Sequence, residues 1–211
     1  MGIDRAAILL DGEFVKKVLS RRLGRFPSAR DVGAEVDRIR SSDELRDSSL
    51  YRVFSYTADP FHGTRTHPVS KVSITYHETA AHRRNVALIE RLERLPDFAV
   101  RRGTLVHQGW QLRPRYVSRL TRGDDAPLQA DDVVARLQQK GVDMRVGLDI
   151  ASLALKRLVT GIVLVAGDSD FLPALKLARR EGLKVFLDTL GTSFVRAELT
   201  AHADRVIGPE A

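Results

Sequence analysis

Two carboxylates stand two residues apart, directly after a short apolar run. The run extends from Ile162 to Ala166, and Asp168 and Asp170 follow it in the sequence Gly-Asp-Ser-Asp-Phe. A short apolar run bounded by glycine is typical of a strand that is buried on both faces of a parallel sheet. Both acids therefore lie just past the carboxyl end of a predicted strand, which is where open α/β sheets bind ligands.

A third carboxylate, Asp11, ends a second apolar run, which extends from Ala6 to Leu10. The Asp-Gly pair at this point predicts a turn that leads into a helix from about Glu13 to Arg22. If the two apolar runs form neighbouring parallel strands, Asp11 and Asp168 emerge at the same edge of the sheet.

Two further acids lie between these strands in the sequence. Asp143 precedes a helix that we predict from about Arg145 to Val159, so it can reach the same crevice from above. Asp149 follows six residues later, which is about 120° away around a helix if both residues are helical. Asp149 could therefore point elsewhere, for instance to an arginine.

Carboxylates that are pressed together repel one another, which raises their pKa values unless a cation neutralises them. The chain has no cysteine, so thiolate zinc sites, cysteine nucleophiles and disulfides are excluded. Oxygen ligands without cysteine or nearby histidine favour a hard cation, Mg²⁺ or Mn²⁺. Such a metal site can activate water and stabilise the transition state of phosphodiester hydrolysis.

Each acid also has an explanation that needs no metal. Asp170 is well placed to cap a helix predicted from Phe171 to Glu181, with Pro173 in its first turn. Asp11 and Gly12 could form a simple turn, and Asp143 could cap its own helix. Only their common position at the ends of predicted strands and helices favours a metal site.

Strands and helices alternate along the whole chain, which predicts an α/β fold with a mostly parallel sheet covered by helices on both faces. We also predict a short helix over Asp131–Gln139 and little regular structure over Gly109–Pro127. No linker, compositional break or internal repeat divides the chain, so we expect a single domain over residues 1–211.

The chain has 34 lysines and arginines against 27 acids, a formal charge of +7 that favours a polyanionic partner. No stretch approaches the ~20 apolar residues that a membrane span needs. The apolar run near the N-terminus is too short for a secretory signal, so we expect a cytoplasmic protein without a membrane partner. A homodimer is compatible with the sequence, although nothing in it locates an interface.

One segment combines aromatic and basic residues in the manner of single-strand nucleic-acid binding, in which bases stack on rings and phosphates meet cations. Alternatively, its tryptophan could anchor a loop onto the core. A second basic group lies upstream, and we hypothesise that both line the approach to the acidic crevice. The candidate nucleic-acid-binding residues are Trp110, Arg113, Arg115, Tyr116 and Arg119, with Arg65 and Lys71 from the second group.

Three motifs together resemble the NYN domain, a family of PIN-like nuclease folds, and in particular its bacterial LabA-like branch. They are Leu-Leu-Asp-Gly ending at Gly12, Lys-Gly-Val-Asp ending at Asp143 with Asp149 six residues on, and Gly-Asp-Ser-Asp-Phe ending at Phe171 with Pro173. The resemblance spans nearly the whole chain. It implies a Rossmann-like sheet and a metal-dependent ribonuclease.

Carried over residue by residue, the resemblance implies that Asp11, Asp143, Asp168 and Asp170 are catalytic and metal-binding, with Asp149 as a conditional fifth ligand. The chain departs from the family at Phe14, where the family usually has asparagine three residues after the first aspartate. The loss of that polar group makes a catalytically weak or inactive RNA-binding or regulatory module an alternative to a ribonuclease. A third interpretation is a hydrolase of small phosphoesters that uses the same metal site.

Overall fold

The computed structural model describes residues 4–125, 127–193 and 195–209. Strands and helices alternate along these residues, which confirms the predicted α/β class. The strands are β1 Arg5–Asp11, β2 Ser49–Asp59, β3 Thr64–Thr66, β4 Ser73–Thr75, β5 Phe98–Leu112, β6 Val133–Lys140, β7 Gly161–Val165, β8 Lys184–Asp188 and β9 Arg205–Ile207. The α-helices are α1 Gly12–Leu23, α2 Ala29–Arg40, α3 Ala80–Leu92, α4 Pro114–Thr121, α5 Val142–Leu155, α6 Leu172–Arg180 and α7 Ala197–Ala201.

Seven of the strands form one sheet in the order β6-β5-β2-β1-β7-β8-β9. Strand β1 pairs in parallel with β2 on one side and with β7 on the other, and β7, β8 and β9 continue in parallel. Strands β5 and β6 pair antiparallel, as do β3 and β4 in a separate hairpin. The sheet is therefore mixed and mostly parallel, as predicted.

The chain divides into two compact units, of which the first comprises residues 1–57, 88–102 and 141–211. Its central strands are buried throughout: Ile8 and Leu9, which point to opposite faces of β1, are both fully buried. On one face, Ile8 belongs to a hydrophobic core with residues of α1, α2 and α3 such as Leu19 and Ile39. On α5, Val146 and Ile150 are fully buried as well.

The second unit comprises residues 58–87 and 103–140 and contains the hairpin of β3 and β4, helix α4 and strand β6. Histidine and aromatic rings pack together in this unit. His107 contacts Phe61 with ring centroids 5.7 Å apart, Tyr76 at 5.9 Å and Trp110 at 5.2 Å. Ring contacts thus join residues from several segments of the second unit.

Two of the sequence predictions need correction in this second unit. Residues 133–140 form strand β6 and not a helix, because the β-branched Val133 and Val134 pair antiparallel with Leu112 and Gln111 of β5. The segment predicted to be irregular contains helix α4, which begins with Pro114 at a position where proline is tolerated. Ala126, at the end of that segment, lies outside the described residues.

No helix in the described part of the chain is long and apolar enough to cross a membrane.

Gly12 gives the first testable prediction, because a Cβ atom at this position would stand 2.4 Å from the backbone oxygen of Tyr56. Backbone cannot move aside as a flexible side chain can, so we expect Gly12→Ala to lower the free energy of unfolding by about 1–3 kcal/mol. Gly147→Ala is the matched control, because a Cβ there would have no heavy atom within 4 Å apart from its chain neighbours and the backbone of its own helix.

Since Gly147 lies inside helix α5, alanine there should raise the free energy of unfolding by roughly 0.5–1 kcal/mol. Urea unfolding of both variants measures the difference. Equal stabilities of the two variants would contradict the close approach of Gly12 to Tyr56.

Candidate active site

Asp11 stands where strand β1 ends and helix α1 begins. Its Oδ1 atom accepts hydrogen bonds from the backbone N–H groups of Glu13 at 3.0 Å and of Phe14 at 3.3 Å, so the carboxylate caps the helix. The strand order places β1 at a switch point: the chain leaves β1 for β2 on one side, and leaves β7 for β8 on the other. Crevices at such points are where doubly wound sheets bind ligands.

Asp168 and Asp170 follow β7, the strand next to β1, and both side chains are exposed. Asp168 Oδ1 accepts a hydrogen bond from the backbone N–H of Asp170 at 3.3 Å, which caps a single 3-10 turn over Ser169–Phe171. Phe171 is buried and anchors that turn. The structure therefore places these two acids at the same edge of the sheet as Asp11.

Asp143 lies in the first turn of α5, and its side chain is exposed. The helix starts after Gly141, whose backbone is left-handed with φ of 74°, a conformation that favours glycine. Val142 is buried and fixes the start of the helix. Glycine and valine thus explain why the sequence Lys-Gly-Val-Asp presents its aspartate outward.

The electrostatics join these four acids into one cluster. Burial raises the pKa of Asp11 to about 6, and the negative charges of Asp143 and Glu13 add to this, although the two backbone hydrogen bonds oppose it. Burial also raises the pKa of Asp143, with further contributions from the charges of Asp170 and Asp168. The charges of Asp168 and Asp170, which follow β7, therefore act on Asp143.

None of the four carboxylates forms an ion pair with a lysine or arginine among residues 4–125, 127–193 and 195–209. This uncompensated negative charge and the oxygen donors fit a hard cation such as Mg²⁺ or Mn²⁺. Within the same residues, however, no three acidic or histidine side chains stand close enough to hold a metal ion. The donor chemistry fits a metal, but the side chains as they stand do not enclose one.

Asp149 has different surroundings. Its Oδ2 atom accepts hydrogen bonds from the Tyr56 hydroxyl at 3.0 Å and from Arg101 Nε at 2.9 Å. The main causes of the raised pKa values of Asp11 and Asp143 are other groups. The structure therefore brings four of the five sequence-predicted acids together and places the fifth beside an arginine.

The sequence reasoning did not single out Asp188 as a site residue, although it ends β8 at the same edge of the sheet. Its side chain is fully buried and receives Arg38 Nη2 at 2.7 Å and the backbone N–H of Leu190 at 2.7 Å. Burial nevertheless raises the pKa of Asp188 above its ordinary value. The available sequence signal was an aspartate at the end of a buried strand. Because Arg38 forms an ion pair with Asp188, this aspartate has a structural role at the edge of the sheet.

Phe14, at the position of the family's asparagine, packs its side chain against the hydrophobic core. Only its backbone N–H reaches Asp11. Phenylalanine therefore contributes to folding here, and no side-chain hydrogen bond replaces the missing amide.

The aromatic candidates for RNA binding lie within the second unit. The Trp110 ring meets the His67 ring edge to face with centroids 4.7 Å apart and the His107 ring at 5.2 Å, so tryptophan is part of the ring cluster. Tyr116 is 8% exposed. The structure thus gives both rings a packing role, whereas a stacking role with bases stays a prediction.

The basic candidates are more accessible. Arg113 and Arg115 both donate to the backbone oxygen of Asp131, each at 2.9 Å. The other three are Arg119, which pairs with Asp124 at 2.8 Å, Arg65, which lies 5.0 Å from the Phe61 ring centroid, and the exposed Lys71. These cations belong to the same unit as the ring cluster.

Comparison with known proteins supports the resemblance drawn from the motifs. The profile of the NYN domain matches residues 78–208, which is more than half of the chain. An uncharacterised protein of Sinorhizobium fredii, y4oD, is 34% identical over 64 residues, a segment that spans only 30% of this chain and 30% of that relative.

A protein of unknown function from Vibrio parahaemolyticus, VPA0982, has a crystal structure that matches with a TM-score of 0.54 and 14% identity. The match covers 99% of this chain and 94% of the other. At this identity the likeness shows a shared fold alone.

The pKa of Asp11 predicts how stability depends on pH. Because the folded state holds this proton up to about pH 6, whereas an ordinary aspartate loses it near 3.8, stability falls as the pH rises through that window. Asp11→Asn keeps an acceptor for the helix cap but carries no charge. We expect it to raise the free energy of unfolding by about 2–3 kcal/mol at pH 7.5 and by less than about 1 kcal/mol at pH 4.

Urea unfolding from pH 4 to 7.5 without divalent metal checks this expectation, with Asp47→Asn as the control because the Asp47 side chain is 94% exposed. If the wild type and Asp11→Asn keep a constant difference at all pH values, the raised pKa is wrong.

Proposed function

Because this chain belongs to the NYN domain family, we propose that it is a ribonuclease that hydrolyses RNA phosphodiester bonds with bound Mg²⁺ or Mn²⁺. NYN domains are PIN-like nuclease folds, and the finer assignment to this chain rests on its acids. The observation that carries it is the cluster of Asp11, Asp143, Asp168 and Asp170, whose charges interact and meet no described cation.

A bound divalent ion would supply a Lewis acid and a lowered pKa for a coordinated water. The chain's contribution is to hold that ion through the four carboxylates. Asp11 approaches from the end of β1, Asp143 from the first turn of α5, and Asp168 and Asp170 from the turn after β7. Asp143, Asp168 and Asp170 are exposed, so a polymeric substrate can reach them without opening the fold.

We further propose that the nuclease domain extends over the whole chain, upstream of the matched residues 78–208. Strand β1 lies between β2 and β7, and its register with β7 runs from Ala6 opposite Gly161 to Leu10 opposite Val165. A domain without β1 would lack both the centre of this sheet and Asp11.

A second candidate is an RNA-binding or regulatory module without turnover. Two observations favour it. Phe14 packs its ring against the core and, unlike asparagine, has no side-chain amide. In addition, no three acidic or histidine side chains among the described residues stand close enough to hold a metal. The net charge of +7 supports RNA binding in either case.

The deciding experiment is cleavage of a mixed set of labelled RNAs by the purified protein in Mn²⁺, Mg²⁺ or EDTA. We expect metal-dependent cleavage that falls at least 100-fold in Asp168→Asn, because the variant loses a charged ligand. Asp47→Asn is the control for removing one surface carboxylate. A small phosphoester, tested in parallel, should remain intact.

Cleavage that persists in EDTA, or equally in Asp168→Asn, would overturn the metal-dependent assignment. RNA binding without any cleavage would favour the second candidate. In that case Phe14→Asn tests whether the missing amide is responsible.

The basic residues of the second unit give a separate prediction about binding. Reversing the charges of Arg113 and Arg115 to glutamate should weaken RNA affinity for all sequences and reduce the slope of log affinity against log salt by about 1–2. Arg46→Glu is a control, since Arg46 is 62% exposed and pairs with Asp43 within the first unit. An unchanged salt slope in the double variant would remove these arginines from the RNA interface.

A further inference from the structure

Asp149 lies outside the acid cluster although it shares helix α5 with Asp143. Six residues separate the two, which corresponds to about 9 Å along the helix axis and about 120° around it. One ion cannot take both as direct ligands at the ~2.0–2.1 Å that Mg²⁺ requires unless the helix is distorted. The carboxylate of Asp149 instead contacts an arginine and a tyrosine, so its role differs from that of a metal ligand.

The partners of Asp149 come from two different strands. The Tyr56 hydroxyl belongs to β2 and donates at 3.0 Å, while Arg101 Nε belongs to β5 and donates at 2.9 Å. The Arg101 guanidinium also lies 5.0 Å from the ring centroid of Phe54, which stacks near Tyr56 at 6.4 Å. The carboxylate therefore fastens α5 to two neighbouring strands of the sheet.

The Tyr56 hydroxyl depends on Asp149 as its hydrogen-bond acceptor. Its side chain is fully buried, and a buried hydroxyl without a partner is costly. Burial and the neighbouring Asp149 charge both raise the pKa of Tyr56, so the hydroxyl keeps its proton and donates. Replacing Asp149 would thus leave a buried donor and an arginine without their acceptor.

Tyr56 is also the residue of β2 that lies beside Asp11. The two are partners in the register of β1 and β2, and the backbone oxygen of Tyr56 lies against Gly12, where even a Cβ would clash. The backbone of Tyr56 therefore contacts the turn that carries Asp11. The side chain of Tyr56 contacts Asp149, on the helix that carries Asp143.

We propose that Asp149 is a positioning residue: through Tyr56 and Arg101 it fixes the rotation of α5, so that Asp143 faces Asp11 and can share an ion with it. The inference rests on the proposed metal-dependent function. It assigns Asp149 a role distinct from that of a metal ligand, and it assigns Tyr56 and Arg101 a function in the site.

The test measures Mn²⁺ affinity by electron paramagnetic resonance in the absence of RNA, so that activity is not the readout. Tyr56→Phe removes only the hydroxyl and keeps the ring in the core, and Asp149→Ala removes the acceptor. The control is Glu93→Gln, which breaks the Glu93–Arg102 ion pair of 2.7 Å in the same unit. Circular dichroism confirms that each variant is folded.

We expect Tyr56→Phe and Asp149→Ala each to weaken Mn²⁺ binding by about 10-fold, the lower end of the effects seen for groups that orient metal ligands. The double variant should be no weaker than Asp149→Ala, because both changes break the same contact. Glu93→Gln should leave the affinity unchanged. If Tyr56→Phe binds Mn²⁺ like the wild type, or if Asp149→Ala loses binding as completely as Asp168→Asn, the positioning role is wrong.

Amide hydrogen exchange in metal-free protein separates this inference from the proposed function. Fixing α5 through Tyr56 predicts faster exchange over residues 142–150 in Tyr56→Phe and not in Glu93→Gln. If the wild type binds no Mn²⁺, the proposed metal-dependent function is wrong. The exchange result still decides whether Asp149 fixes the helix. Unchanged exchange in Tyr56→Phe would overturn the positioning role of Asp149.

Discussion

Uncompensated negative charge at the carboxyl edge of the sheet is the constraint on which the rest of this structure depends. The chain has seven more basic than acidic residues, yet Asp11, Asp143, Asp168 and Asp170 meet none of the described cations. Folding has to concentrate these charges, which repel one another, and burial adds to the cost for Asp11. This concentration of negative charge supports the proposal that the cluster binds a cation.

Other acids of the same unit show that pairing was available to this chain. Asp188 ends β8 at the same edge and is neutralised by Arg38, and Asp149 on α5 is neutralised by Arg101. Both pairs brace the elements that surround the cluster. The pairing with arginine therefore distinguishes Asp149 and Asp188 from the four candidate site acids more sharply than their positions in the sequence do.

Local sequence signals were sufficient to predict the central strands and the sheet edge at which Asp11 and Asp168 lie. Strands that are buried on both faces read as unbroken apolar runs, and the acids that follow them must emerge at the sheet edge, as Asp11 and Asp168 do. The turn chemistry at Gly12 and Gly141 is equally local. These features depend on a few consecutive residues, so they can be predicted from a single sequence without an alignment.

What the sequence missed depends on partners far along the chain. Strand β6 resembled a helix because its strand character comes from pairing with β5. The Arg38–Asp188 pair joins residues 150 positions apart, and Tyr56 and Asp149 are 93 positions apart. No periodicity or local motif encodes such contacts, which is why Asp188 was missed and the partners of Asp149 were left open.

The most direct test of the account is a crystal structure of the protein with Mn²⁺, in which anomalous scattering locates the ion. We expect a peak among Asp11, Asp143, Asp168 and Asp170, with Asp149 still hydrogen-bonded to Tyr56 and Arg101. That peak should be absent from crystals of Asp168→Asn grown in the same way. An ion bound elsewhere, or an empty cluster at saturating Mn²⁺, would contradict the claim that these carboxylates form a metal site.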